Sequence, residues 1–126
     1  MNCFISPESL CQIEILVSDL SSSIRYFEEV FGWKRVPAYI HNLCILDVKN
    51  SKIGVSLIPV GSALTAGQKL TLYFQVESEK EIKRMMETSE RLSGRKGPKY
   101  KHLPSYGKVF YICSKDGHKF GLFLGE

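Results

Sequence analysis

Hydrophobic and polar residues alternate in two separate segments of the chain. In residues 12–17, QIEILV, isoleucine and valine take every second position, and residues 70–76, LTLYFQV, repeat the alternation. A period of two is typical of a β-strand with one face on a core and the other face open. We therefore predict a strand in each segment, with Gln12 and Glu14 on the open face of the first.

Each of these strands is followed by a helical pattern. After the first strand, Asp19 offers a capping side chain, apolar residues recur at helical spacing, and Gly32 ends the segment. After the second strand, Ser78 and Glu81 form a capping box, and the apolar stripe ends at Gly94. We predict two amphipathic helices, each lying on the apolar face of the strand before it.

Both halves of the chain continue with further strand-like segments. In the first half these are approximately residues 33–40, 43–49 and 52–59, with KNSK as the last turn. In the second half a basic stretch leads to KVFYICS and HKFGLFLG, and Asp116-Gly117 between them is a strong hairpin signal. The order β-α-β-β-β is therefore predicted twice.

The repeated order indicates an internal duplication, in which Val17 corresponds to Val76 and Ser56 to Gly121. The length of 126 residues and the hydrophobic content of 44% suit one domain that buries its own core. We interpret the chain as a single α+β domain over residues 1–126, with module one at about 10–60, a linker at 61–69 and module two at about 70–126.

The net charge of +4 favours anionic ligands only mildly, and it does not indicate nucleic acid. The chain has no apolar run near the roughly 18 residues of a membrane span, and MNCFISPESL lacks the features of a signal peptide. We expect a soluble, cytoplasmic protein with no membrane partner.

The cysteines have no C-x-x-C spacing and the histidines no metal-ligand spacing. We expect reduced thiols and histidines on the surface or in loops. The residues concerned are Cys3, Cys11, Cys44, Cys113, His41, His102 and His118.

Two stretches, IEILVSDLSSSIRYFEEVFGW and KDGHKFGLF, resemble the vicinal oxygen chelate superfamily, which includes glyoxalase I, fosfomycin and bleomycin resistance proteins and extradiol dioxygenases. The resemblance covers nearly the whole chain. It implies a glyoxalase-like fold of two tandem β-α-β-β-β modules, in which a curved mixed sheet has helices on its outer side and a ligand in its concavity. It also implies a homodimer that pairs through its sheets.

In metal-using members of the superfamily, four residues reach into the concavity, and by resemblance these positions fall on Gln12, Ser56, Thr71 and Gly121. Only Gln12 is a usual ligand type, because divalent ions of this class require carboxylate oxygens or imidazole nitrogens. We therefore expect no metal cofactor. A rearranged divalent-metal site that uses Gln12 and Glu14 stays open as an alternative.

Polar and aromatic residues remain on the predicted concave face, and this mixture suits a small-molecule pocket. They are Gln12, Glu14, Ser56, Thr71, Tyr73, Gln75, Tyr111, Lys119 and Phe123. An equally weighted alternative is that a partner subunit or the chain's own loops fill this face. If the site is catalytic without a metal, Glu14 is the candidate general base, with Lys119 or Tyr73 as its electrostatic partner.

Residues 95–108, RKGPKYKHLPSYGK, carry five basic and no acidic side chains. They are interpreted as a solvated loop, with a rim that attracts an anionic ligand as the alternative.

The leading functional hypothesis is a glyoxalase/bleomycin-resistance-like protein that binds or sequesters a small molecule, anionic ligands included, without the usual metal. One alternative is a metal-dependent or metal-independent lyase, isomerase or transferase, and another is a protein-interaction module. The sequence leaves open the ligand, any catalysis, and whether the pocket forms within one chain or across a dimer.

Overall fold

The computed structural model describes residues 5–37, 43–48 and 51–125. It contains two α-helices, α1 (Leu20–Phe31) and α2 (Glu79–Ser93), and short 3-10 turns at Pro7–Ser9 and Ala66–Gln68. The strands are β1 (Gln12–Val17), β2 (Lys34–Arg35), β3 (Cys44–Asp47), β4 (Gly54–Pro59), β5 (Thr71–Val76), β6 (Lys101–Leu103), β7 (Gly107–Cys113) and β8 (Lys119–Leu124).

The strands form two four-stranded mixed sheets with the same topology. The first has the order β1-β4-β3-β2 and the second the order β5-β8-β7-β6. In each sheet the first and last strands of the module pair in parallel, and the other pairs are antiparallel. The predicted α+β class with two β-α-β-β-β modules is confirmed.

Both helices begin and end where the sequence predicts. The side chain of Asp19 accepts a hydrogen bond from the backbone N–H of Ser22 at 2.9 Å, and this bond lowers the pKa of the Asp19 carboxyl. The hydroxyl of Ser78 accepts from the N–H of Glu81 at 3.1 Å. Gly32 and Gly94 end the helices with φ values of 74° and 68°, which residues with a side chain rarely adopt.

Helix α1 packs against both its own sheet and the second module. The Phe27 ring meets Phe120 of β8 edge-on at 5.8 Å, and Phe31 lies 5.2 Å from Phe74 of β5. The hydroxyls of Tyr26 and Ser89 form a buried hydrogen bond of 2.6 Å between the helices. The two modules therefore share one core, and each sheet has a second face that points away from the helices. We call this its open face.

Two sequence expectations need correction. Of the second strand, expected over about 33–40, the described residues form Lys34–Arg35, and residues 38–42 lie outside the part of the chain that the structure describes. The basic segment, interpreted as a loop, contains β6, whose backbone pairs with β7 over residues 107–109. Pairing satisfies backbone groups that the edge of β7 would otherwise leave open.

His118 lies in the loop between β7 and β8, as one of the two expectations for the histidines had it, but it is buried rather than on the surface: it is 1% exposed. Its Nδ1 accepts from the N–H of Leu70 at 3.1 Å, so its Nε2 carries the proton and donates to the carbonyl of Leu16 at 2.6 Å. The adjacent Asp116 carboxylate accepts from both the N–H and the hydroxyl of Ser18. This turn of the second module therefore holds the end of β1. His102 is exposed as expected, and His41 lies outside the described residues.

Cys11, Cys44 and Cys113 are free thiols, and Cys3 lies outside the described residues. Burial raises the pKa of the Cys44 thiol. Within residues 5–37, 43–48 and 51–125, neither helix is long and apolar enough to cross a membrane.

Candidate ligand-binding site

The open face of the second sheet follows from the alternation of β5. Leu72, Phe74 and Val76 pack into the core, so Thr71, Tyr73 and Gln75 point the other way. Cross-strand partners share a face, which adds Lys119 beside Thr71 and the Gly121 backbone beside Tyr73. Phe123, Tyr111 and Val109 complete this face.

Four aromatic side chains, Tyr73, Tyr106, Tyr111 and Phe123, form a cluster on this open face, which we call the aromatic patch. The Tyr73 and Tyr106 rings are nearly parallel, with their centroids 6.2 Å apart, and Tyr106 lies 4.6 Å from Phe123. Tyr73 is 44% exposed and Tyr106 46% exposed. The patch therefore offers ring surfaces on which a further flat group can pack.

The patch also carries a hydroxyl pair. The hydroxyls of Tyr73 and Tyr111 lie 3.2 Å apart. The hydrogen bond with Tyr73, together with burial, raises the pKa of Tyr111 to about 12. The Tyr111 phenol is therefore neutral at physiological pH. A tyrosine hydroxyl can both donate and accept a hydrogen bond, so the pair can also bond a polar group of a ligand.

Gly121 allows this arrangement. A Cβ atom at residue 121 would lie 2.6 Å from Cε1 of Tyr73 and 3.0 Å from Cγ1 of Val109. The glycine therefore makes room for the Tyr73 ring, which lies over the strand backbone at that position.

The open face of the first sheet has a different character. The Nε2 amide of Gln12 donates a hydrogen bond of 2.8 Å to the hydroxyl of Ser56, which is 5% exposed. The same Gln12 side chain covers Gly54, where a Cβ would lie 2.5 Å from Oε1. Glu14 is exposed opposite Ser56 in the β1–β4 register. An exposed carboxylate lacks the desolvated setting expected of the general base, so the catalytic role of Glu14 stays a prediction.

The structure divides the predicted site residues into two groups. The first group lies on the first open face and comprises Gln12, Glu14 and Ser56. The other group lies on the second open face. The second group comprises Thr71, Tyr73, Gln75, Tyr111 and Lys119. The hydrogen bonds found for these side chains in the described part of the chain stay within each group. Sequence reasoning omitted Tyr106 because it comes from the β6–β7 turn, where no alternation assigns a face.

The residues at the four positions of a superfamily metal site do not fit a divalent ion. Ser56 already bonds Gln12, Thr71 is an exposed hydroxyl, and the space that a side chain at residue 121 would need is occupied by Tyr73. Among residues 5–37, 43–48 and 51–125, no three His, Cys, Asp or Glu side chains come together as a metal site would require. We therefore derive no chemistry from a metal.

Comparison with known proteins identifies the fold. No protein-family model and no curated protein matches the chain. A glyoxylase/bleomycin resistance protein/dioxygenase domain from a Frankia species has a TM-score of 0.73 at 19% identity, covering 96% of this chain and 100% of that one. Fosfomycin resistance protein FosX from Mesorhizobium loti has a TM-score of 0.71 at 20% identity, with 96% and 94% covered.

A third solved structure, an antibiotic binding protein from a Streptomyces species, has a TM-score of 0.71 at 17% identity, covering 99% of this chain and 100% of that one. These likenesses extend over nearly the full length of every chain compared. They confirm the resemblance drawn from the sequence: the chain has the fold of the vicinal oxygen chelate superfamily.

Proposed function

We propose that this protein binds a small molecule with a flat ring on the aromatic patch, without a metal ion. The observation that carries the proposal is the half-exposed pair of stacked rings, Tyr73 and Tyr106, beside the hydroxyl pair of Tyr73 and Tyr111. Pockets for small molecules combine apolar and aromatic surface with a few placed polar groups. An exposed apolar patch of this kind marks a site where a ligand or partner packs.

The chemistry around the patch favours a ligand with a negative or hydrogen-bonding substituent. Lys119 and Thr71 lie at one end of the same face, and Gln75 lies near the other end beside Phe123. Lysine attracts a carboxylate or phosphate group, whereas the tyrosine hydroxyl pair donates to a neutral acceptor. The antibiotic binding protein of the same fold shows that this fold can serve in binding a small molecule.

We further propose that a second copy of the chain completes the pocket, as a homodimer. Both open faces carry exposed side chains in the single chain, and their groups are complementary: Glu14 and Gln12 lie on the first face, and Lys119 and the aromatic patch lie on the second. In such a dimer, the first open face of one copy would lie across from the second open face of the other. The two groups of predicted site residues would then line one pocket. A sedimentation experiment that finds only monomer at micromolar concentration would contradict this.

Thermal stabilisation tests the binding proposal directly. Purified protein is melted with flat aromatic acids such as 2-naphthoate and with acetate as the non-aromatic reference. A ligand present at 100 times its Kd stabilises the folded state by about 2.7 kcal/mol. We expect stabilisation by the aromatic acids that is lost in Tyr73→Ala and Tyr106→Ala.

Tyr100→Ala is the matched control, because Tyr100 is 51% exposed and packs against Phe110 on the helix side of the same sheet. This variant should respond to ligand as the wild type does. Stabilisation that survives both Tyr73→Ala and Tyr106→Ala, or its absence from the whole panel, would refute the proposal.

A further inference from the structure

A groove lies on the helix side of the second sheet, between α2 and the basic segment 95–100. It has two neighbouring parts of about 370 and about 290 Å³, and Met86 and Phe110 line both of them. These volumes are comparable with small-molecule sites, which occupy roughly 300–1,000 Å³. The groove is on the other side of the sheet from the rings of Tyr73 and Tyr106.

The floor of the groove is apolar. Met86 and Phe110 are half-buried, and Ile82 and Ile112 are almost fully buried below them. Met86 has an unbranched side chain that adapts its shape to what packs against it. An elongated floor of this kind suits a flexible alkyl chain better than a rigid planar ligand.

The rim of the groove is basic. Four basic side chains line the two parts, against two acidic ones. The basic residues are Lys83, Arg95, Lys96 and Lys99, and the acidic ones are Glu79 and Glu90. The ion pair between Lys96 and Glu90 is long, 3.9 Å, and 83% of the lysine side chain is exposed. An anionic group therefore meets a positive field at the end nearest residues 95–99.

The basic segment is held in place by its backbone. A Cβ atom at Gly97 would lie 2.5 Å from the carbonyl carbon of Tyr111, so the segment packs on β7 as closely as it does because residue 97 is glycine. Beyond it, the Lys108 ammonium lies 4.1 Å from the centre of the Tyr100 ring. The charges of the rim are thus carried by a packed segment rather than by a free loop.

We propose that this groove is a second binding site, for an alkyl carboxylate. The carboxylate lies between Lys96 and Lys99, and the alkyl chain runs along Met86 and Phe110 toward Ile82. Burial of the alkyl chain of the ligand on the apolar floor supplies affinity. The basic rim fixes the direction in which the ligand lies. The site lies on the other side of the sheet from the rings of Tyr73 and Tyr106, and Tyr111 of the aromatic patch also lines the groove.

Calorimetric titration with decanoate, below the concentration at which it forms micelles, tests the site. Decyltrimethylammonium carries the same chain with the opposite charge, and acetate carries the charge without the chain. We expect saturable binding of decanoate only, weakened by added salt. The double variant Lys96→Glu/Lys99→Glu should weaken it by about tenfold, since each reversal replaces an attraction with a repulsion.

Lys80→Glu is the control for charge reversal, because it replaces one exposed lysine of α2 outside the groove with glutamate, which is half of the charge change of the double variant. This variant and Tyr73→Ala should bind decanoate as the wild type does. The proposal is overturned if the wild type does not bind decanoate saturably or binds decyltrimethylammonium equally well. It is also overturned if Tyr73→Ala abolishes binding or if Lys96→Glu/Lys99→Glu leaves binding unchanged.

Discussion

The ring of Tyr73 lies directly over the backbone of Gly121, so tightly that a methyl group on residue 121 would be 2.6 Å from Cε1 of the ring. The two residues are cross-strand partners in the β5–β8 register. The aromatic patch therefore depends on the glycine as much as on the tyrosine. Glycine has a low strand propensity, but at residue 121 it is needed for the packing of Tyr73.

Gly121→Ala should destabilise the protein, because the tyrosine ring must move off its present site; overpacking of this kind costs about 1–3 kcal/mol. In a Tyr73→Ala background the same change should cost clearly less, since the ring is gone and the remaining close contact is the one with Cγ1 of Val109 at 3.0 Å. Urea unfolding of the two single variants and the double variant measures the coupling. Additive effects would mean that Tyr73 does not occupy this space in solution.

The same contact predicts the response to divalent metals. Because Tyr73 fills the place of a side chain at residue 121 and Ser56 bonds Gln12, adding Zn²⁺, Mn²⁺ or Ni²⁺ should leave the melting temperature unchanged. Treatment with a chelator should have no effect either. A metal bound in this fold at 100 times its Kd would stabilise the folded state by about 2.7 kcal/mol. Stoichiometric metal in the purified protein would contradict the prediction.

The features predicted from the sequence are those that local chemistry determines. The caps at Asp19 and Ser78 and the ends at Gly32 and Gly94 each depend on a few neighbouring residues, and all four are confirmed. The strand duplication was also predictable, because alternation assigns both the strands and their faces.

The features that were missed depend on contacts between distant parts of the chain. His118 bonds the carbonyl of Leu16, which is 102 residues away, and nothing around His118 in the sequence indicates its burial. Tyr106 joins the aromatic patch from a turn, where periodicity gives no direction. The division of the predicted site between two open faces likewise follows from how the modules pack. The alternation within each strand does not predict this packing.

Tyr73→Phe should lower the pKa of Tyr111 from about 12 toward the value of 10.0 of a free tyrosine side chain, because the hydrogen bond with Tyr73 is the largest cause of the shift. NMR titration of tyrosine labelled at Cζ measures this directly. Tyr106→Phe is the control, because Tyr106 contacts Tyr73 through ring stacking. This substitution should leave the pKa of Tyr111 unchanged.

The raised pKa of Tyr111 also makes the free energy of unfolding depend on pH. Because the pKa of Tyr111 is higher in the folded protein than in the unfolded chain, its contribution is fully present below pH 10 and is lost as the pH rises from about 10 to about 12. The difference in unfolding free energy between wild type and Tyr73→Phe should therefore shrink over this range. A constant difference up to pH 12 would show that the hydroxyl pair does not hold Tyr111 in its neutral form.

His118→Ala should be among the most destabilising single changes in the chain. It removes the donor to the Leu16 carbonyl and the acceptor for the Leu70 N–H together, and each buried group left without a partner costs about 1–3 kcal/mol. Urea unfolding should therefore show a loss of roughly 2–6 kcal/mol. His102→Ala, at an exposed histidine of the same sheet, should change the unfolding free energy by less than about 0.5 kcal/mol.

His118→Asn separates the hydrogen bonds from the volume of the ring. An asparagine side chain is too short to reach Leu16 and Leu70 at once, so it restores at most one of the two bonds. Its stability should fall between those of the wild type and His118→Ala. Equal losses for His118→Ala and His102→Ala would mean that the two modules are held together by the aromatic core around Phe27 and Phe120, with no net contribution from this histidine.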